Sequence, residues 1–273
     1  MTEEWSRYRS FPRLGVDLLH AHFRSHVYAR HAHDSHVVGV VERGVPTFRY
    51  RGGRHQVAPG RIMILNPEEP HDGRSAQASG YEYRMLYVRQ EAFAAALLDD
   101  PGRRTSVPCF REPEVDDPAL ARQLRRVHAA LSRSGSDLET ESLLLDVVRA
   151  LTARHSGWNL ADDPSCRRID VATSRARDYV HAHFAEDFSL ATLAGVAELS
   201  RFQLSRRFTR AYGLPPHAYL VQLRVRAARN LLAAGQSPAQ VAYDTGFADQ
   251  SHLARRIKSA YGVTPRQVRA AMR

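Results

Sequence analysis

Two groups of side chains in this 273-residue chain carry chemistry that can be read from type and spacing. The first is a pair of arginine doublets, Arg206-Arg207 and Arg255-Arg256, each inside a segment that occurs twice. A guanidinium donates two parallel hydrogen bonds to the edge of guanine, and glutamine makes the corresponding pair with adenine. Gln203, Ser205 and Arg206 in one copy, and Gln250, Ser251, His252 and Arg255 in the other, are therefore candidates for reading base edges. Arg201, Arg207, Arg210, Arg256 and Lys258 are expected on phosphates, where they add affinity without sequence information. The second group is His31, His33, His36 and His71. On a strand, residues 31 and 33 point to one side, and His71 is expected to meet them across a barrel. Neutral imidazoles so placed either bind iron, zinc or manganese or act as hydrogen-bonding pocket walls.

The arginine segments must sit on helices. Leu204–Pro216 returns as Leu253–Pro265 at an offset of 49, with seven of thirteen positions identical. Upstream the offset is 48, matching Ser189 to Ser237, Leu193 to Val241, Ala194 to Ala242 and Leu199 to Phe247. One small unit has been built twice, and each copy reads as a short helix, a tight turn and a second helix: a helix-turn-helix. Ser189, Ser200, Ser237 and Asp249 are candidate N-caps, with Pro238 at a first helical position. Leu204 and Phe208, and in the second copy Leu253 and Ile257, face inward. Between the copies, Leu220, Leu223, Ala227, Ala228, Leu231 and Leu232 predict a helix over Pro216–Ala233. At 1.5 Å per residue it is about 27 Å long, roughly the separation that seats two recognition helices in successive major-groove turns. Ile169, Ala172, Ala176, Tyr179 and Val180 form a further stripe ahead of the first copy.

Charge supports that partner. Residues 175–273 hold 15 Lys+Arg against 6 Asp+Glu, whereas residues 1–174 hold 24 against 23, so nearly all of the +10 lies on the repeated part. A basic domain attached to a neutral one is the electrostatic footprint of a nucleic-acid binder.

The histidines belong to a different architecture. From about Val16 to Val88 short β-branched and aromatic runs (36–41, 47–50, 62–65, 81–88) are broken by Gly52-Gly53 and Pro59-Gly60, predicting an antiparallel barrel or sandwich. Phe48, Tyr50, Tyr81, Tyr83 and Tyr87 offer pocket walls, with Arg49 and Arg84 as candidate polar anchors that hint at an anionic ligand, although strand alternation puts many of these arginines outside. Helical spacing follows at 91–98, at 118–132 (Leu120, Leu124, Val127, Leu131) and at 138–153 (Leu144, Val147, Val148, Leu151), the last two joined by Ser134-Gly135-Ser136. Their stripes are expected on the barrel or on a partner subunit. His155 to Ser165 reads as a linker. Cys109 and Cys166 have no ligand-like spacing, and no apolar run approaches a membrane span, which suits a cytoplasmic protein.

Residues 169–273 resemble the C-terminal domain of the AraC/XylS transcription regulators. The resemblance rests on Val241-Ala242, Gly246-Phe247, Ser251-His252-Leu253 and Gly262-Val263-Thr264-Pro265; Ile257, where phenylalanine is usual, and Pro215-Pro216 depart from it conservatively. It implies base contacts from Phe202, Ser205, Arg206, Gln250, Ser251 and Arg255. Residues from about His20 to Val88 are similar to the cupin-like effector-binding barrel of such regulators, on His31-Ala32-His33, on Pro59-Gly60 leading into Ile62–Pro67, and on His71. The pattern of metal-binding cupins adds a glutamate shortly after the second histidine, but Val37 and Val38 stand there and Glu42 lies too far along.

The expected fold is therefore α+β multidomain: a cupin-like β-barrel at 1–90, a helical dimerisation segment at 91–154, a linker at 155–168 and an all-α double helix-turn-helix domain at 169–273. His31, His33, Phe48, Tyr50, His71 and Tyr83 are expected to line an effector pocket, with no cofactor; a metal on His31, His33 and His71 is the alternative. The expected function is a sequence-specific DNA-binding regulator, not an enzyme, controlled by a small molecule. The resemblance favours an activator that contacts RNA polymerase as a homodimer. The competing readings are a metal-dependent cupin enzyme fused to a DNA-binding domain, and an effector-free architectural binder.

Overall fold

A computed structural model of the chain describes residues 3–97, 108–133, 137–157 and 170–271. It falls into two compact units, one of residues up to 160 and one of residues 161–270. The Ser134–Ser136 joint, Cys166, Ile169 and most of the expected linker lie outside the described residues.

In the N-terminal unit the β-branched runs form strands. Among the described residues these are β1 (Trp5–Phe11), β2 (Val16–Phe23), β3 (Tyr28–His31), β4 (Ser35–Arg43), β5 (Pro46–Tyr50), β6 (Gly53–Gln56), β7 (Ile62–Leu65), β8 (His71–Ser75), β9 (Tyr81–Arg89) and β10 (Glu114–Val115). They pair antiparallel in two sheets, ordered β1-β2-β9-β4-β7-β10 and β3-β8-β5-β6. Side chains alternate between faces along a strand. Val16, Leu18, Val38, Val40, Ile62, Ile64, Leu86 and Val88 point outward from the first sheet into one apolar cluster. That cluster is closed by Leu120, Leu124, Val127 and Leu131 of α2 (Pro118–Arg133) and by Leu144, Val147, Val148 and Leu151 of α3 (Asp137–His155). The two helical stripes are thus buried on the barrel itself. A short α1 (Gln90–Leu97) adds Phe93 to the same layer. The inner set of residues on the same strands faces a cavity, so this sheet is buried on both sides and its strands read as near-continuous apolar runs.

His36 follows the outward set. Its ring packs on Phe93 and Phe110 with centroids 4.3 and 5.5 Å away, and its Nε2 donates to the Pro108 carbonyl at 2.9 Å. Burial holds its pKa down to about 4. His128 of α2 sits beside Arg84 and 5.6 Å from the His20 ring, and burial followed by the Arg84 charge holds it down to about 3. Both imidazoles are neutral at pH 7 in folded and unfolded chains alike. As pH falls through 6.5 the unfolded chain takes up protons that the folded chain refuses, so stability is lost between about 6.5 and the folded values. At pH 5 each histidine should cost at most about 2 kcal/mol. Trp5 lies in this unit on β1, and neither of the chain's two tryptophans falls within the helical residues 170–271. Urea unfolding followed by tryptophan fluorescence should therefore show a lower midpoint at pH 5 than at pH 7.5, and an unchanged or higher one would contradict the assignment.

The C-terminal unit is helical: α4 (Val171–Ala182), α5 (Leu190–Val196), α6 (Arg201–Tyr212), α7 (Pro216–Ala233), α8 (Pro238–Asp244), α9 (Gln250–Tyr261) and α10 (Pro265–Ala270). Ser189, Ser200, Ser237 and Asp249 each accept a hydrogen bond from the backbone N–H three residues on, so all four expected N-caps are made. α5 and α8 start 48 residues apart and α6 and α9 start 49 apart, which places the change of offset in the turn of the second unit, one residue longer than the first. Ala176, Val180, Leu193, Leu204, Phe208 and Leu220 form the core of the first helix-turn-helix with α4 and α7.

The two turns solve one backbone problem differently. Both need a left-handed residue after the first helix; the second uses Gly246 (φ 74°), the first uses Glu198 (φ 54°). A Cβ on Gly246 would lie 2.5 Å from the Ala185 carbonyl oxygen and 2.8 Å from Cζ of Arg224. Gly246→Ala is expected to destabilise the C-terminal unit by roughly 2–4 kcal/mol, strain and overlap combined. Glu198→Gly removes similar strain but loosens the unfolded chain, and should stay within about 1 kcal/mol of neutral. Equal effects from the two substitutions in thermal unfolding would refute the distinction.

Candidate DNA interface and ligand cavity

In each helix-turn-helix the second helix buries one face and exposes the other. Leu204 and Phe208 of α6, and Leu253 and Ile257 of α9, are fully buried. At 100° per residue, Phe202 and Arg206 project almost opposite that core, as do Ser251 and Arg255 in the second unit. All four are exposed, Phe202 at 74%. An exposed aromatic ring at this place offers an apolar surface to a thymine methyl. Ser205 is half-buried, whereas Arg201, Arg207, Arg210, Gln250, Arg256 and Lys258 are exposed around the same helices.

Two expected base readers are already engaged. Gln203 closes a capping box: its Oε1 accepts from the Ser200 N–H at 3.1 Å while the Gln203 N–H donates to Ser200 Oγ at 3.2 Å. His252 Nε2 accepts from Arg256 Nε at 3.2 Å, and its ring meets Phe247 edge-on at 5.3 Å. Both residues sit in the third helical position after the cap, where a side chain turns back toward the helix end.

Arg224 was not legible as special in the sequence. It is 8% exposed on α7 and donates to the carbonyls of Phe184 (2.7 Å), Glu186 (2.8 Å) and Gly246, with Asp187 Oδ1 at 3.3 Å. It thereby ties the chain after α4 to the turn of the second helix-turn-helix.

In the N-terminal unit, Val37, Met63, Leu65, Tyr81, Tyr83, Met85 and Tyr87 of the first sheet face Tyr28, Phe48 and His71 of the second across a cavity of about 50 Å³. Of the six residues proposed for an effector pocket, His31, His33, Phe48, His71 and Tyr83 line this cavity. Tyr50 does not: although it shares the inward face of β5 with Phe48, it lies further along, where its hydroxyl accepts from the Asn66 N–H (3.2 Å) and Nδ2 (3.0 Å). Arg84 also departs from expectation. It points outward and pairs with Glu42 at 3.0 Å. Arg49 pairs with Asp72 at 3.5 Å and, with Arg54 and Arg74, lines an outer pocket of about 120 Å³ that shares Tyr28, Thr47, Phe48, Asp72 and Gly73 with the inner cavity.

Inside, Tyr28 and Tyr83 share a hydroxyl hydrogen bond of 2.7 Å, and burial raises the pKa of both well above the ordinary tyrosine value. His31 and His71 are cross-strand partners on β3 and β8, adjacent strands of one sheet rather than opposite walls. His33 follows in the link to β4. His31 Nδ1–H donates to the Ala29 carbonyl at 2.7 Å and His71 Nδ1–H to the Glu69 carbonyl at 3.1 Å, while the Nε2 atoms of His31 and His33 are 3.1 Å apart. One ring nitrogen of each histidine lies within 4.8 Å of the others. Burial lowers the pKa of His31 well below its usual value, and of His71 to about 4.

Paired helix-turn-helix units and, in the same chain, a sheet unit that encloses a cavity define a DNA-binding regulator with a ligand-binding domain. Residues 13–148 match the AraC-like ligand binding domain and residues 193–271 match a helix-turn-helix domain. The chain belongs to the AraC family of transcription regulators. It is 26% identical over 226 residues to the HTH-type transcriptional regulator YbfI of Bacillus subtilis, covering 83% of this chain and 81% of that one. It is 26% identical over 251 residues to the HTH-type transcriptional activator RhaS of Escherichia fergusonii, covering 89% and 87%. Its fold is similar to that of ToxT from Vibrio cholerae, at a TM-score of 0.55 and 13% identity over 99% of this chain and 97% of that one. A ToxT structure with bound unsaturated fatty acid gives a TM-score of 0.53 at 14% identity over 97% and 95%. Among the described residues no helix is long and apolar enough to cross a membrane.

Proposed function

We propose that this regulator is a transcription activator acting in the cytoplasm, whose grip on DNA is set by a small amphipathic anion held in the N-terminal cavity. The observation that carries the proposal is the adjacency of two pockets that share Tyr28, Thr47, Phe48, Asp72 and Gly73: an inner cavity walled by Tyr28, Phe48, Tyr81, Tyr83 and Tyr87, and an outer one lined by Arg49, Arg54 and Arg74. Arg49 and Arg54 are direct cross-strand partners, a like-charge pairing that a bound anion relieves. The apolar body of the ligand fills the inner cavity and its carboxylate or phosphate meets the arginines. The bound fatty acid of the ToxT structure has the same amphipathic character.

In this reading α6 and α9 enter successive major-groove turns, with Phe202, Arg206, Ser251 and Arg255 on bases, and Ser205, Gln250, Gln203 and His252 beside them. Arg201, Arg207, Arg210, Arg256 and Lys258 hold phosphates. A second copy of the chain docks on the outward face of α3, where Leu138 is 75% exposed, and the DNA-bound dimer recruits RNA polymerase; the RhaS relative is named a transcriptional activator. The ligand acts only through its differential affinity for the DNA-competent arrangement.

The test is a thermal-shift screen of small carboxylates and phosphates on the full chain, with each stabilising compound carried into DNA titrations. A compound that stabilises the wild type, fails on Arg54→Ala combined with Arg74→Ala, and changes DNA affinity supports the proposal. Compounds that bind without changing DNA affinity would refute ligand control.

A further inference from the structure

We propose that His31, His33 and His71 bind one divalent transition-metal ion inside the N-terminal cavity, leaving an open coordination position toward the cavity ligand. Two imidazole nitrogens held 2.0–2.1 Å from zinc at ordinary bond angles stand about 3.0–3.4 Å apart. The Nε2 atoms of His31 and His33 already meet that spacing at 3.1 Å. The two edges to His71, each at most 4.8 Å between ring nitrogens, close by rotation of the His71 ring about its side-chain bonds.

The tautomers agree with the geometry. Because His31 and His71 each spend their Nδ1–H on a backbone carbonyl, each is left with an Nε2 lone pair. Bracing a ring through its other nitrogen is how proteins orient histidine ligands. A single N–H from His33 can satisfy only one such lone pair, whereas one cation satisfies them all. The rings are 3%, 3% and 5% exposed, so water does not compete for the lone pairs freely.

The donor set also selects the ion. Three neutral imidazoles favour zinc, copper, nickel, cobalt or iron over magnesium or calcium. No carboxylate completes the set: Asp72 lines the cavity, but its carboxylate accepts from the Arg49 N–H at 2.7 Å. The ion therefore keeps its full double charge. No arginine or lysine lines the inner cavity among the described residues, so the ion is the positive charge there, and its open position takes an oxygen or nitrogen at the inner tip of the ligand's otherwise apolar body. Only this last step rests on the ligand-control reading; metal uptake does not.

The experiment uses tag-free full-length chain, stripped with a chelator and titrated with Co²⁺ and then Zn²⁺. One equivalent of Co²⁺ should bind with the visible spectrum of a low-coordinate nitrogen site and be displaced by Zn²⁺. X-ray absorption of the zinc form should count three imidazoles. His33→Ala and His71→Gln should each weaken binding by about a hundredfold or more with circular dichroism unchanged, while His217→Ala, exposed on α7, should not. Failure of the folded wild type to bind either ion, an oxygen-rich shell, or binding that survives both substitutions would overturn the proposal. If a variant does not fold, the imidazole count on the wild type decides. Metal-free protein whose DNA affinity still responds to a small molecule removes the metal and keeps ligand control; a metal-loaded protein that no compound affects does the reverse.

Discussion

Arg224→Met is expected to lower the stability of the C-terminal unit by about 3–5 kcal/mol, more than any other single change considered. The guanidinium is nearly fully buried on α7 and collects three backbone carbonyls from two segments, Phe184 and Glu186 after α4 and Gly246 in the second turn. Methionine fills the volume of the stem but leaves those acceptors unpaired, and each unsatisfied buried acceptor costs on the order of 1–3 kcal/mol. Lysine at this position restores a charge but not the planar fork, so Arg224→Lys should recover only part of the loss. The measurement is thermal unfolding of the full chain by far-ultraviolet circular dichroism, with tryptophan fluorescence reporting the N-terminal unit separately. At roughly 4–8 °C per kcal/mol for a domain of this size, the helical transition should fall by more than 10 °C while the fluorescence transition stays in place. A shift of only a degree or two would mean that the fork is dispensable.

The second large effect falls on recognition. Arg206→Ala and Arg255→Ala should each weaken binding to the specific site by about 1–3 kcal/mol while changing binding to random DNA far less. The reason is geometric. Each arginine projects from the exposed side of its helix, almost opposite Leu204 in one case and Leu253 in the other, which is the side the proposed function turns into the groove. Arg207→Ala and Arg256→Ala, further round the helix, should instead weaken specific and random DNA alike and reduce the salt dependence by about one counterion each. Competition titrations at several salt concentrations separate the two pairs. Equal losses on specific and random DNA for Arg206 and Arg255 would demote them to phosphate clamps.

The helical half of this architecture was legible because its signals are local. Four caps, two inward pairs and the bounds of α7 each depend on residues within a turn or two of one another, and the step in offset from 48 to 49 even marked the longer second turn. Long-range partners were not legible. Arg224 occupies an ordinary polar slot in the α7 pattern, and nothing in helical periodicity announces carbonyls 22 to 40 residues away. Strand alternation correctly turned Phe48 and Tyr83 inward, yet it gives only the face, not the depth, and Tyr50 ended against Asn66 beyond the cavity. The same alternation, which put many of the arginines outside and left Arg84 beside Glu42, could also have separated His36 from His31 and His33. The Ser200-x-x-Gln203 spacing is likewise a capping-box signature that would have tied Gln203 to its own helix end.

The most direct test of the central claim is capture of DNA by the purified full chain from random genomic fragments, with the recovered sites sequenced and their affinity compared with bulk DNA. The two-headed architecture predicts recovery of recurring sites, each with two short conserved blocks about one helical turn apart, bound at least about a thousandfold more tightly than bulk DNA at physiological salt. Recovery of fragments with no shared sequence, held only by steeply salt-dependent binding, would contradict it.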